Sequence, residues 1–412
     1  MMMGVAVVVL LVVVVGVLAA TASAEVVVEQ VDDGTGTLAI TTSAHGSEGN
    51  GVGSVLFNGE DVLGMLDNVK ATASAMRRAV TRLCNQHGKI TSFIAVTSGA
   101  DAWSGGVLAN NNKIYGIPYN EENVLIIDTI SHTVSKILLQ GASGDHKWQG
   151  GAFAGNGKIY ACPNDATSVL VVDTISETAS TSTITNLDSG RDKWSGGALA
   201  DNGKIYCVPH DASAVLVIDP ASDSADATTL KHKSPAGSSN LWAGAVRGND
   251  GNIYGVPYSG ATILKINPIT DEITHIYPGL PTGKNKWRGG VIGRDGLLYC
   301  IPYRDTRMLV SDLDSQRSFF SVADGADSSY KWEGGALGSN GRIYGAPSSA
   351  SAVLMFDPAT STADTTSLAI GAPAEPSQSR KWDGLVAAPN GLLYGIPRNS
   401  DHVLVIDPRC HF

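Results

Sequence analysis

The sequence predicts an all-β fold, a seven-bladed β-propeller of four-stranded antiparallel blades. Three observations carry this expectation. All seven tryptophans (Trp103, Trp148, Trp194, Trp242, Trp287, Trp332 and Trp382) recur at intervals of 45 to 50 residues. Each opens the same phrase, typified by Lys147-Trp148-Gln149-Gly150-Gly151, an Asn-Gly turn, a Tyr 12 positions after the Trp and a Pro three further on. No stretch of the unit has a helical period, and four short strands at this spacing make a propeller blade.

Each strand of the unit has its own reason. The first runs through Trp-x-Gly-Gly and small apolar residues, and its glycines let inner strands crowd toward the axis. The second is Lys-Ile-Tyr-x-x-Pro, reached through an Asn-Gly turn. The third is an apolar run such as Val215-Leu216-Val217-Ile218, closed by Asp219-Pro220, where the acid caps a turn. A Thr-rich fourth strand follows, as in Thr181–Thr185. Trp and Tyr are expected to fill the spaces between blades. The last unit ends at Asp407-Pro408 without a fourth strand, and 89–96 precedes the first Trp without a blade of its own. The N-terminal strand is therefore expected to complete the last blade, a velcro closure that removes exposed edges. The propeller should occupy 89–412.

The rest of the chain reads differently. Met1–Ala24 holds no charged residue, Val5–Ala20 is apolar, and Ala22-Ser23-Ala24 suits cleavage. Residues 1–24 read as a signal peptide, with an uncleaved anchor as the alternative. After cleavage no membrane span is expected, and the location is secreted or at the extracellular surface. Residues 25–59, rich in Gly, Thr and Ser, read as a flexible linker. In 60–84, Val62, Leu66, Val69, Ala73, Met76, Val80 and Leu83 space as a heptad seam. That predicts an amphipathic helix that packs on the main domain or forms a short coiled coil and a homo-oligomer.

The net charge of −10 argues against nucleic acid as a partner. Of five cysteines, Cys162, Cys207 and Cys300 fall within equivalent strands and read as small buried residues. Closure of the ring would bring Cys84 and Cys410 together as a disulfide.

The repeat over Lys89–Pro408 resembles seven-bladed propellers of the YVTN, NHL and streptogramin-lyase-like kind. Its unit, Trp-x-Gly-Gly through Asn-Gly-Lys-Ile-Tyr to Val-Leu-Val-Ile-Asp-Pro, is also similar to repeats in secreted proteins of protists and algae. The resemblance implies the fold, and propellers host many activities. A streptogramin-lyase site needs specific His and Glu residues, which cannot be placed on any blade here. WD40 dipeptides are absent, and the Trp stands before the Gly-Gly pair in the same strand, unlike kelch repeats.

Function must sit where the sevenfold repeat is broken. The Lys preceding Trp in five blades reads as a solvated rim charge. The residue after each Trp varies: Ser104, Gln149, Ser195, Ala243, Arg288, Glu333 and Asp383. Arg288, Glu333 and Asp383 fall in consecutive blades and are the candidates for acid/base work at the channel mouth, against a rim salt-bridge cluster. The loop after each Pro also varies, and Tyr119, His210, Tyr258, Tyr303, Arg304 and Arg398 are its candidate ligand contacts. His146 and His210 could approach each other, but lack a third ligand, so no metal and no cofactor is expected. The leading expectation is non-catalytic recognition of an extracellular protein or glycan through the loop face. The alternatives are a lyase or hydrolase at the channel mouth and a cell-surface or matrix component.

Overall fold

The computed structural model describes residues 25–29, 39–43, 56–57 and 60–61, helical positions 68, 70–72, 74 and 75, and residues 91–410 apart from 140, 234–238, 277–278, 323–329 and 372–378. The chain divides into two units, 1–83 and 84–412. In the first, Glu25–Glu29 pairs antiparallel with Ala39–Ser43, inside the stretch expected to be a linker. Glu60–Asp61 pairs with Leu56–Phe57, so the first two positions of the expected helix are strand. The expected signal peptide, the heptad seam, and Cys84 with the Cys410 side chain lie outside the described residues.

The second unit is a ring of seven four-stranded antiparallel sheets. Blade 2 is typical, with strands Trp148–Phe153, Lys158–Pro163, Val169–Asp173 and Thr178–Ile184. Blade 7 takes three strands from the C-terminal end and its fourth, Thr91–Ala95, from the N-terminal side. Phe93 pairs with Leu404 and Ala95 with His402, so the expected closure is present. Blades 3 and 6 have fourth strands of only three residues, Ser224–Asp226 and Thr362–Asp364. Asp226 and Asp364 end them by accepting hydrogen bonds from the N–H groups of Thr228 and Thr366 two residues on, a local turn that competes with the ladder.

In every blade the Trp pairs with the Pro, and the register then slips before the Gly or its substitute three positions after the Trp resumes it, as between Trp148 and Gly151. The bulge puts the Gly two after each Trp at positive φ, from 65° at Gly150 to 99° at Gly244. These seven glycines ring the axis. A Cβ on Gly289 would lie 2.6 Å from the Cα of Gly334, and one on Gly334 2.7 Å from that of Gly384. Both the dihedral and the spacing therefore require Gly.

All seven indoles are buried between blades, and each Nε1 donates to the carbonyl twenty residues on, from Asn123 to His402, at 2.7–2.9 Å. At ~25 cal/mol per Å2 over ~150–250 Å2, each indole contributes roughly 4–6 kcal/mol of transfer free energy before conformational entropy is subtracted. On the face opposite the Pro loops, Asn111, Asn156, Asn202, Asn340 and Asn390 each donate both to the Tyr hydroxyl of their own blade and to a turn carbonyl of the next. Blades 4 and 5 carry Asp250 and Asp295 there, which accept from their Tyr instead.

Two cysteine assignments need correction. Cys162 and Cys207 are not separate small core residues but a disulfide joining blades 2 and 3, with Cα atoms 5.9 Å apart. The reason lies in strand alternation. Cys162 stands fourteen after its Trp and Cys207 thirteen after its own, so they leave opposite faces of their sheets and meet across the seam. Cys300 also stands thirteen after its Trp, but Val256 occupies the facing position in blade 4. The two pack in one apolar cluster, and Cys300 is a buried free thiol.

Candidate binding face and channel mouth

A belt of backbone hydrogen bonds closes one face. The residue before each Trp donates its N–H to the carbonyl of the residue after the preceding blade's Pro. The seven bonds run from Lys147→Tyr119 to Ala102→Arg398 at 2.7–3.0 Å. This belt aligns two rings at the channel mouth, the residues after Trp and the residues after Pro.

The lysines of the belt are not solvated rim charges. Lys147, Lys193, Lys286, Lys331 and Lys381 are all buried. Their ammonium groups donate to loop carbonyls, Lys147 to Asn120 and Gly144, Lys286 to Gly260 and Gly283, Lys381 to Ala350. Burial lowers Lys286 and Lys381 to about 8. Lys147, Lys286, Lys331 and Lys381 pin the loops leading into their Trp residues onto the preceding blade. The long apolar stem makes Lys a suitable pin, and backbone carbonyls take the place of water around its ammonium.

Arg288, Glu333 and Asp383 converge, and Arg398 joins them. Arg288 pairs with Glu333 and reaches Asp383 at 3.2 Å. The Nη1 of Arg398 lies 3.1 Å from Glu333 and 3.0 Å from Asp383. Its Nε bonds Asp101. Ser104 donates to Asp383 and Ser348 to Glu333. The network thus ties blades 1, 5, 6 and 7. Glu333 is 0% exposed and Arg398 2%. Burial pushes Glu333 up to about 7, against the pull of Arg288. Burial also raises Asp383, but Arg288 and Arg398 outweigh it and hold that carboxyl below its usual range. Both guanidiniums are held charged by the acids despite burial. Glu333 and Asp383 face Arg288 and Arg398, and Asp101 at the edge is shared between Arg398 and Arg380.

An axial cavity of about 200 Å3 opens beneath the mouth, walled by the glycine ring with Ser104, Gln149, Ser195, Arg288 and Asp383. Glu333 does not line it.

The candidate contacts after Pro are placed unevenly. Tyr119, His210, Tyr258, Tyr303 and Arg398 are buried, and only Arg304 is exposed. Tyr119 carries Arg398 over its ring at 4.7 Å and stacks on His146 at 4.7 Å. His210 is held by the Trp242 carbonyl and Asn240, both at 2.8 Å, and burial lowers its pKa. His146 thus stacks against blade 1 while His210 bonds to blade 4. Tyr258, Tyr303 and Tyr330 form a ladder, with centroids 5.8 and 4.8 Å apart. The Tyr303 hydroxyl is buried without a hydrogen-bond partner, and burial pushes that phenol well up.

Tyr330, which carries Arg304 and Arg380 over its ring, and Arg380 lie outside the candidate positions of the sequence. Both stand two before a Trp, a position whose variation is as legible as that after Trp.

No family model matches the sequence, and neither does any curated protein. Among solved structures, a streptogramin B lyase superposes with TM-score 0.62 at 13% identity, covering 76% of this chain and 96% of that one. Virginiamycin B lyase from Staphylococcus aureus gives 0.61 at 10% identity, covering 77% and 98%. The extracellular domain of a two-component-system protein from B. thetaiotaomicron gives 0.58 at 13%, covering 76% of this chain and 42% of that one. The chain shares with these lyases the seven-bladed propeller, and at such identity the likeness speaks for the fold.

Proposed function

We propose that the protein is a non-catalytic binding module that engages an extracellular protein or glycan through its loop face. The observation that carries this reading is where the sevenfold symmetry breaks. The variable residues gather around the Pro loops and the loops leading into Trp, while the carboxylates of the mouth are engaged by arginines. Glu333 in particular has no access to the axial cavity. An extracellular location is supported by the Cys162–Cys207 disulfide, which persists in an oxidising compartment, and by the apolar leader. A thermal-shift screen of glycans, secreted proteins and metals tests the reading. A true ligand raises the unfolding temperature, and substitutions at exposed loop-face residues such as Asp211 and Arg304 reduce the shift, whereas Asp314→Asn on the opposite face leaves it intact. A stabilising ligand indifferent to every loop-face change would refute it.

A second reading, a lyase or hydrolase, is favoured by one observation: Arg288 and Asp383 share the wall of the axial cavity. Incubation with a streptogramin B tests it. Linearised product that disappears in Asp383→Asn supports the enzyme, and no product over background removes that substrate class.

A further inference from the structure

Within the reading of the loop face as a binding surface, one sector departs from the pattern of the others. The belt aligns the second residue after each Pro with the second residue before the next Trp. At five seams the former accepts a hydrogen bond from the N–H of the latter. The acceptors are Asn120 for His146, Asp165 for Asp192, Asp211 for Asn240, Ser259 for Asn285 and Asn399 for Asp101. At the seam from blade 5 to blade 6 the facing residues are Arg304 and Tyr330. A guanidinium has no acceptor to offer, and Arg304 instead lies over the Tyr330 ring at 5.3 Å. At the following seam the pair is Ser349 and Arg380, and Arg380 turns back over the same ring at 5.5 Å.

The backbone shows a cost at Arg380. Its φ is +53°, a left-handed conformation shared by Asp101, His146, Asp192, Asn240 and Asn285 at the equivalent positions. Asn, Asp and His tolerate that conformation well, and Arg does not gain from it. An Arg placed against backbone preference points to a use for its side chain. Beneath Tyr330 stand Tyr303 and then Arg288, 5.7 Å from the Tyr303 ring, and the Tyr303 hydroxyl is the orphaned one. Arg304 is exposed, and Tyr330 and Arg380 are half-buried. The facing sector of blades 1–3 is acidic instead, with Glu122, Asp145, Asp188 and Asp211 exposed.

We infer that Arg304, Tyr330 and Arg380 form the binding subsite for an acidic glycan. A pyranose ring packs its C–H face on the phenol while its sulfate or carboxylate groups take paired N–H bonds from the flanking guanidiniums. A protein interface of ordinary size would need a desolvated apolar centre. Of the exposed large hydrophobics among the described residues, Ile130, Ile175, Ile269 and Leu138 belong to blades 1, 2 and 4, and Phe319 and Phe320 lie on the outer strand of blade 5, where Arg307 covers the Phe320 ring at 4.4 Å.

The test is titration of the whole protein with a heparin oligosaccharide, neutral dextran and poly-glutamate at low and high salt. The expected result is heparin binding that weakens with salt, no dextran binding, and a loss of about tenfold or more in Arg304→Ala/Arg380→Asn. Tyr330→Ala should also weaken binding, and Lys284→Ala, outside the stack, should change it little. Asn already occupies the Arg380 position in blades 4 and 5, so that change keeps the fold. Absence of heparin binding overturns the inference, as does poly-glutamate binding alone with the same sensitivity, which would assign an acidic peptide. Heparin binding that resists these substitutions but falls with changes elsewhere on the loop face sinks this subsite and leaves the binding face standing. Binding indifferent to the entire loop face sinks both.

Discussion

Two sectors of the ring are held together by different chemistry. Between blades 2 and 3 the seam is covalent and apolar: Cys162–Cys207 lies within a cluster that includes Trp194, Ile205 and Leu216. Across blades 5, 6, 7 and 1 the seam is ionic, built from Arg288, Glu333, Asp383, Arg398 and Asp101. The scaffold of Trp, Tyr, Gly and Pro is the same in both. The covalent seam is indifferent to pH and to ligand charge. The ionic seam depends on pH through its carboxyls, and Arg304, exposed, and Arg380, half-buried, stand over it on the loop face. Closure of the ring and the proposed binding surface are thus not spatially separate in the second sector.

The largest expected effect breaks the ionic seam from within. Asp383→Ala removes an acceptor from Arg288, Arg398 and Ser104 at once and leaves buried guanidiniums underpaired. Urea unfolding should show a loss of about 3–5 kcal/mol. A loss below about 1 kcal/mol would mean that water solvates the cluster freely.

The covalent seam should yield somewhat less. Replacing Cys162 and Cys207 together with Ala opens a cross-link between residues 45 apart. A cost of about 2–4 kcal/mol is expected in the same assay. The converse change sharpens the comparison. Val256→Cys puts a thiol opposite Cys300, at the offset that joins Cys162 to Cys207, and mass spectrometry should find a second bridge at the seam of blades 4 and 5. Two free thiols after oxidation would show that the offset alone does not set the geometry.

Proton linkage separates the sectors next. The fold holds the Glu333 proton up to about pH 7, whereas the unfolded chain releases it near an ordinary glutamate value of ~4.3. A folded-state pKa raised in this way stabilises at low pH, and that contribution is lost as pH rises from about 4.3 to about 7. Over that window the wild type should lose stability relative to Glu333→Gln, with a slope of at most about 1.4 kcal/mol per pH unit. His210, lowered by burial, acts in the opposite direction but is common to both proteins and cancels in the difference. Parallel pH profiles would place the proton elsewhere.

Much of this architecture was legible in the residues. The sevenfold Trp–Tyr–Pro spacing led to blade number, strand order and velcro closure, because those depend on one unit and its repetition. The convergence of Arg288, Glu333 and Asp383 was legible for the same reason: equal positions in successive blades share a ring. What escaped depends on two units at once. Arg398 joins the trio only because Trp pairs with Pro, which brings the ring after Pro beside the ring after Trp. The disulfide needed the faces of neighbouring strands to be compared, fourteen against thirteen positions from Trp. The lysines were misjudged because their partners are backbone carbonyls, which no side-chain pattern reveals. Tyr330 and Arg380 were overlooked because the loop before Trp was read only at its last residue.

The smallest predicted effect bears most directly on how the ionic sector relates to binding. If Arg380 is kept in a left-handed conformation for the sake of its side chain, then Arg380→Asn should stabilise the fold by about 0.5–1 kcal/mol, since Asn accepts φ near +53° more readily. Two contributions oppose that gain. The guanidinium contact with the Tyr330 ring is lost, as is the 3.9 Å approach to Asp101. Both lie at a partly exposed position, where each is worth little. Denaturant midpoints of wild type and variant decide the sign. A gain in stability with weakened heparin binding means that the residue serves recognition at the expense of the fold. A loss of stability means that Arg380 belongs to the ionic seam beneath it, and it would then be part of how the ring closes rather than of what it binds.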